Sequence, residues 1–189
     1  MTPEAIRERL ESVGSLLSGH FALSSGLHSD RYVQCAKVFE HPATAAELCA
    51  ALAELLRDKR CDVVLGPAYG GIILAYELAR ALGARSAFVE RVDGAFKLRR
   101  GFTLEAGERV LVAEDVVTTG GSAAEAAALA RQHGAEVVGL AALIDRSRGI
   151  ADLTALYRLD APTYPPGDCP LCADGIPATA PGSRKVQRR

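Results

Sequence analysis

The feature that most restricts how this sequence can fold is an alternation, across residues 62–144, of short β-branched runs with longer segments rich in alanine and leucine. Asp62-Val-Val-Leu-Gly66 is an apolar run ending in glycine and reads as a buried strand. Gly71–Leu82 then reads as a helix, Ser86–Glu90 and Arg109–Ala113 as strands, Gly121–His133 as a helix and Ala135–Ile144 as a strand. Strands separated by helices join through right-handed crossovers. The order therefore predicts an α/β fold with a mainly parallel central sheet flanked by helices on both faces. Leu153–Leu159 fits an edge strand of that sheet.

Outside this core the pattern is looser. Thr2 is a capping residue with Pro3 behind it, and Ile6, Leu10, Val13 and Leu17 share one helical face, so a helix is expected to end near Ser18. Phe21–Val33 is polar and contains glycine, which predicts turns and short strands. Pro42–Lys59 reads as a helix that buries Leu48, Leu52, Leu55 and Leu56. Gly94–Glu108 reads as an exposed hairpin or flap. Ala161–Arg189, rich in proline and glycine, reads as an irregular arm ending in the basic run Arg184–Arg189, expected to be solvated tail. With no internal repeat and no linker, residues 1–189 are expected to form a single domain, with an N-terminal helix and hood over 1–40 and a core over 60–150.

Composition excludes several classes. A net charge of -1 argues against a general nucleic-acid binder. No run approaches the roughly 18 apolar residues of a membrane span. The charged N-terminus has no apolar signal core. Five cysteines (Cys35, Cys49, Cys61, Cys169 and Cys172) show no disulfide-framework spacing, so a reducing cytoplasm is expected.

The chemistry concentrates in Arg109-Val-Leu-Val-Ala-Glu-Asp-Val-Val-Thr-Thr-Gly-Gly-Ser122. A buried strand ends in two acids, a Thr/Gly turn follows, and an alanine-rich helix begins at once. Such a turn leaves backbone N–H groups pointing outward at a helix N-terminus, which makes an anion site. Glu114 and Asp115 would repel a bare phosphate. They fit a ligand that also offers sugar hydroxyls, and they raise the negative potential where an oxocarbenium-like centre would develop. Read alone, the turn is equally an ordinary strand exit.

The whole unit resembles the binding motif for 5-phosphoribosyl 1-diphosphate (PRPP) in type I phosphoribosyltransferases. The resemblance implies that Glu114 and Asp115 hold the ribose hydroxyls, while Val116, Val117, Thr118, Thr119, Gly120, Gly121 and Ser122 wrap the 5′-phosphate. Three further segments are similar to the orotate phosphoribosyltransferases. Phe21-Ala-Leu-Ser-Ser-Gly-Leu-His-Ser-Asp-Arg-Tyr32 looks like their hood signature, implying base contacts from Ser25, Gly26, Tyr32 and Val33. Gly66-Pro-Ala-Tyr-Gly-Gly71 is a second strand–turn–helix unit, assigned by resemblance to the diphosphate through Tyr69 and Gly70. Ile144-Asp-Arg-Ser-Arg-Gly149 offers Arg146 for the orotate carboxylate, with Thr118 beside it.

The resemblance further implies Mg²⁺ carried on PRPP rather than on direct protein ligands. It also implies a homodimer in which the loop 91–101 reaches the neighbouring active site. Some relatives carry Lys where Ser24 and Gly70 stand, and many carry a Lys/His pattern in the loop. This chain has no His between residues 42 and 132, so Arg91, Lys97, Arg99 and Arg100 become the candidates for neutralising the leaving diphosphate. Cys169-Pro-Leu-Cys172 has zinc-knuckle spacing, but one pair falls short of the roughly four ligands a site needs. A pair of free thiols is the expected reading, and a site shared between two subunits the alternative. Two functional alternatives stay open: a phosphoribosyltransferase for a purine or other base, and a regulator that binds PRPP without turnover.

Overall fold

The structure is a computed structural model that describes residues 1–147 and 149–181. Its centre is a six-stranded sheet. The strands are β3 (Val63–Pro67), β4 (Arg85–Val92), β5 (Ala95–Leu98), β6 (Arg109–Val117), β7 (Glu136–Asp145) and β8 (Leu153–Arg158), in the spatial order β5-β4-β3-β6-β7-β8. All neighbours are parallel except β4 and β5, which form an antiparallel hairpin at one edge. The mainly parallel α/β fold expected from the alternation is therefore present, with β8 at the opposite edge.

Alternation within the strands explains why both faces are covered. Val64, Leu111 and Ala113 point into a core with helices α3 (Pro42–Leu55) and α4 (Gly70–Leu82), to which Ile6 and Leu10 of α1 (Pro3–Ser12) are added. Val63, Leu65, Val110 and Val112 point the other way, onto Ala123, Ala126, Ala127 and Ala130 of α5 (Gly121–Gln132). Strands buried on both faces read as unbroken apolar runs, as these do.

Three local expectations need correction. Helix α1 stops at Ser12 rather than near Ser18, and Leu17 belongs to strand β1 (Leu16–Ala22). Gly14 adopts φ 68°, its N–H bonds to the Glu11 carbonyl, and the Ser15 N–H reaches back to the Leu10 carbonyl. That is a glycine-terminated helix end, which outweighs continuing apolar periodicity. Leu55 is 57% exposed, whereas Leu48, Leu52 and Leu56 are fully buried. At about 100° per residue the buried stripe centres near Ala45 and Leu56, and Leu55 falls on its margin.

The third correction concerns the arm, which is not wholly irregular in its described part. Strand β9 (Thr163–Tyr164) pairs with β2 (His28–Val33), which pairs with β1, giving a separate three-stranded hood sheet. Further along, Thr179 bridges to Phe21. Two short helices also went unforeseen, α2 (Ala36–Phe39) and α6 (Pro170–Ala173). The basic run Arg184–Arg189 lies outside the described residues.

Candidate active site

The order β4-β3-β6-β7 fixes where a ligand can sit. From β3 the chain winds through α4 to β4 on one side, and from β6 through α5 to β7 on the other. The winding reverses between β3 and β6, so the loops leaving their carboxyl ends diverge and open a crevice, the usual binding place in open α/β sheets. Both glycine-containing turns singled out in the sequence lie there.

Strand β6 continues four residues beyond the expected Ala113. Glu114, Val116 and Val117 are paired with Ala142, Ile144 and Asp145 of β7. The acid pair is thus held by strand geometry rather than by a loop. After Thr118 and Thr119 the backbone turns at Gly120 (φ 74°), which precedes α5 and supplies no side-chain cap. Helix α4 likewise starts after Tyr69 without a side-chain cap. Two helix N-termini without side-chain caps therefore flank Glu114 and Asp115.

The approach is close. A Cβ on Gly70 would lie 2.5 Å from the Asp115 carboxylate, and one on Gly71 would lie 2.8 Å from the Ala113 carbonyl oxygen. Glycine at these positions lets α4 abut the end of β6. Burial, reinforced by Asp115, pushes the Glu114 carboxyl up to about 7, against opposing hydrogen bonds from Ser122 and the Ala123 N–H. Burial also raises Asp115. A pair held partly protonated at neutral pH repels an approaching anion less than two full charges would.

Two cavities open on this crevice. The larger, about 1180 Å³, runs beneath the hood, and its lining includes Ser25, Tyr32, Val33, Val116, Thr118 and Arg146. Of the residues expected around a base, only Gly26 is absent from it. The smaller, about 290 Å³, joins Tyr69 and Gly70 to Asp115 and to Phe39 and Ile73. Phe21 is buried behind Tyr32, with ring centroids 5.6 Å apart, and so backs the hood wall.

Arg146 is half-buried at the end of β7, its N–H bonded to the Val117 carbonyl at 2.8 Å. Desolvation lowers its pKa. Among the described residues its guanidinium has no carboxylate within ion-pair distance and no side-chain hydrogen bond. A desolvated cation without a counterion is costly unless a ligand provides one.

The β4–β5 hairpin turns at Asp93 and Gly94, both at positive φ, the pattern of a tight two-residue hairpin turn. Its cations are paired within the chain. Arg91 meets Glu125 at 2.6 Å and lies 4.2 Å over the Phe96 ring, Lys97 meets Asp93 at 3.8 Å, and Arg99 and Arg100 meet Glu90 at 3.8 and 3.2 Å. None of the four lines either cavity.

Several lining residues were not anticipated. Arg158, the last residue of β8, and Leu159 and Asp160 just after it line the larger cavity. A parallel strand ends at the same rim as its neighbours, so their position followed from the predicted sheet even though the strand itself looked featureless. Phe39 comes from the unforeseen helix α2. His20 and His28, far from Cys169 in sequence, stand beside the Cys169/Cys172 pair.

The phosphoribosyl transferase domain family matches residues 35–160. The orotate phosphoribosyltransferase of Caldicellulosiruptor saccharolyticus is 50% identical over 191 residues, covering 99% of this chain and 100% of that protein. That of Thermotoga maritima is 53% identical over 186 residues, covering 96% and 100%. Among solved structures, the orotate phosphoribosyltransferase of Aeropyrum pernix superposes with a TM-score of 0.72 at 26% identity, covering 82% of this chain and 93% of that one.

Proposed function

The chain belongs to the orotate phosphoribosyltransferase family, and from that premise we propose how its residues divide the transfer of a 5-phosphoribosyl group from PRPP to orotate. The 5′-phosphate lies against the N–H groups and hydroxyls of Thr118–Ser122 at the start of α5. Glu114 and Asp115 accept hydrogen bonds from the 2′- and 3′-hydroxyls. The diphosphate faces the N-terminus of α4 beside Tyr69 and Gly70. Orotate occupies the hooded cavity among Ser25, Tyr32, Val33 and Thr118, its carboxylate on Arg146, while Gly26 lies outside the lining and shapes the hood turn beside Ser25.

In this arrangement N1 of orotate forms a bond to C1′ as the C1′–oxygen bond to diphosphate breaks, and the N1 proton is released. Catalysis is then chiefly positioning and charge stabilisation. The observation that carries the reading is Arg146, without a carboxylate partner among the described residues, in the hooded cavity that is also lined by Val116 and Thr118, the residues that follow the Glu114–Asp115 pair. A purine offers no carboxylate to that guanidinium.

Mg²⁺ is a hard cation that prefers oxygen ligands and retains its waters. Among the described residues the one cluster of three or more metal-ligating side chains is a His/Cys set, which does not suit it. PRPP oxygens would be its main ligands, and Glu114 and Asp115 would help to hold it through water. Bound there, it would supply charge neutralisation for the leaving diphosphate.

The protein acts as a cytoplasmic homodimer in this proposal, with residues 91–101 delivering Arg91, Lys97, Arg99 and Arg100 to the neighbouring diphosphate. Tyr69, Ile73 and Tyr76 support the dimer, as an exposed apolar stripe along α4 at helical spacing. No helix among the described residues is long and apolar enough to cross a membrane, and the cysteines are free.

The test is diphosphate release from PRPP and Mg²⁺ with orotate, adenine, hypoxanthine or guanine. Turnover is expected with orotate alone, and its absence overturns the assignment. Asp115→Asn should lower kcat/KM by roughly 10- to 100-fold, the loss of charge-assisted hydrogen bonds. Full activity in that variant removes Asp115 from the ribose site.

A further inference from the structure

The sequence offered Cys169 and Cys172 as half of a metal site and no obvious second half. Folding supplies it from the hood. Strand β1 carries a bulge between Ser18 and Phe21, and His20 lies in it. Across the hairpin His28 is paired with Ala22. Thr179 fastens the arm to this edge, its N–H and hydroxyl donating to the His20 carbonyl at 2.9 and 3.2 Å and its carbonyl accepting the Ala22 N–H at 2.7 Å. These bonds lay the Cys169–Cys172 segment against the hood. His20 Nε2, His28 Nδ1 and the two Sγ atoms all lie within 4.8 Å of one another.

We propose that His20, His28, Cys169 and Cys172 form a structural zinc site within one chain, stapling the hood to the C-terminal arm. The geometry supports this on three grounds. First, metal–ligand distances of about 2.0–2.3 Å in a tetrahedron require ligand–ligand edges of about 3.3–3.8 Å. The observed separations are 3.5 Å for Cys169 Sγ to His20 Nε2, 3.8 Å for Cys172 Sγ to His20 Nε2, and 3.3 Å for Cys172 Sγ to His28 Nδ1. The two imidazole nitrogens are closer, at 2.8 Å, and need only spread by about half an ångström to admit the ion.

Second, His20 Nδ1 is 2.6 Å from the Ile176 carbonyl oxygen. An N–H donating there leaves the Nε2 lone pair facing the thiols. A backbone carbonyl that fixes the tautomer and ring orientation is the usual outer support of a histidine ligand. Third, the chemistry matches. Two thiolates and two imidazoles suit zinc, and a closed set of four protein ligands marks a structural rather than catalytic centre. On binding, each thiol gives up one proton and the two negative charges balance Zn²⁺ without residual charge. His20 and Cys169 are buried, whereas Cys172 is exposed and gives the ion a path in.

The consequence reaches the base pocket. Leu23, Ser24 and Ser25 of the hood and Pro162, Thr163 and Ala180 of the arm line the larger cavity. The ion would hold these two walls in register.

The experiment is metal analysis of the full chain purified without chelator. About one zinc per chain is expected, falling to near zero in the Cys169→Ser/Cys172→Ser variant. His28→Ala should weaken zinc binding by more than about 100-fold in competition with a chromogenic chelator, beyond the 10–100-fold typical of an outer-shell loss. In case the variants fail to fold, the wild-type protein is stripped and given Co²⁺, which should produce tetrahedral ligand-field absorption with thiolate-to-cobalt charge transfer. Stripping should also lower Tm by roughly 5–15 °C. Three results would each overturn the site: metal-free wild-type protein that takes up no Co²⁺, zinc retained by the double cysteine variant, or a Cys169–Cys172 disulfide in the purified protein. None of these readouts depends on turnover.

Discussion

Arg146 gives the sharpest separation between what the fold needs and what the ligand needs. Its guanidinium is half-buried, has its pKa lowered by desolvation, and faces the hooded cavity without a carboxylate partner among the described residues. Replacing it with methionine keeps most of the aliphatic volume and removes the charge. The free protein loses no ion pair by this change and sheds an uncompensated cation. Its stability should therefore hold or rise, so Tm measured without ligand should not fall.

Orotate binding should respond in the opposite direction. A charge-assisted hydrogen-bonded contact is worth about 1.5–3 kcal/mol, and each 1.4 kcal/mol is about tenfold. The KM for orotate should thus rise roughly 10- to 150-fold in Arg146→Met, while the KM for PRPP stays within about twofold. Arg146→Lys should fall between, because the charge survives and the planar fork does not. Steady-state diphosphate release, with each substrate varied in turn, measures all of this. An unchanged orotate KM, or a rise confined to PRPP, would refute the assignment of the carboxylate to Arg146. A marked drop in Tm would refute the claim that the residue serves only the ligand.

Two further outcomes test the frame around the acid pair. Glu114 titrates near 7 instead of its usual 4.5. The folded state therefore binds the extra proton between those values, and stability is full below about pH 4.5 and falls as pH rises through about 7. Discounted for partial solvent access, the loss is about 1–2 kcal/mol. Urea midpoints from pH 5 to 8 should show it in the wild type and lack it in Glu114→Gln. Gly66→Ala would set a Cβ 2.6 Å from the Gly71 carbonyl carbon and 2.9 Å from Ala75 Cβ. That forces α4 off β3 at a cost of about 2–3 kcal/mol, seen as a lowered urea midpoint with unchanged slope.

The parallel core was legible because its strands are buried on both faces, and unbroken runs such as Val63–Leu65 and Val110–Ala113 leave few alternatives. The Glu114–Ser122 unit was legible for a related reason: a strand, two acids and an uncapped turn are contiguous in sequence. The hood and arm were harder to read. His20 and His28 are separated from Cys169 by more than a hundred residues, and β9 has only two residues. Nothing local marks such long-range pairings. The end of α1 was misjudged because apolar spacing persists through Leu17, while Gly14 and its two backbone bonds decide the matter.

The charge balance of the site turns on the difference between buried and exposed cations. Arg146 is the guanidinium held ready in a desolvated position, and it faces the cavity assigned to the base. The hairpin cations are engaged with Glu125, Asp93 and Glu90, each cation side chain about half exposed. Exposed ion pairs contribute about 0–1 kcal/mol each, so releasing Arg100 toward a diphosphate would cost little against a charge-assisted bond to a phosphate oxygen. The same pairs hold the hairpin in one shape when no ligand is present, Arg91 by its fork on Glu125, its bond to the Gly94 carbonyl and its seat over Phe96. Weak pairing at the sheet edge and firm positioning at the crevice are thus complementary. On the proposed reading, the reacting centre needs fixed geometry, whereas the hairpin cations must be free to swing onto the diphosphate and to release it.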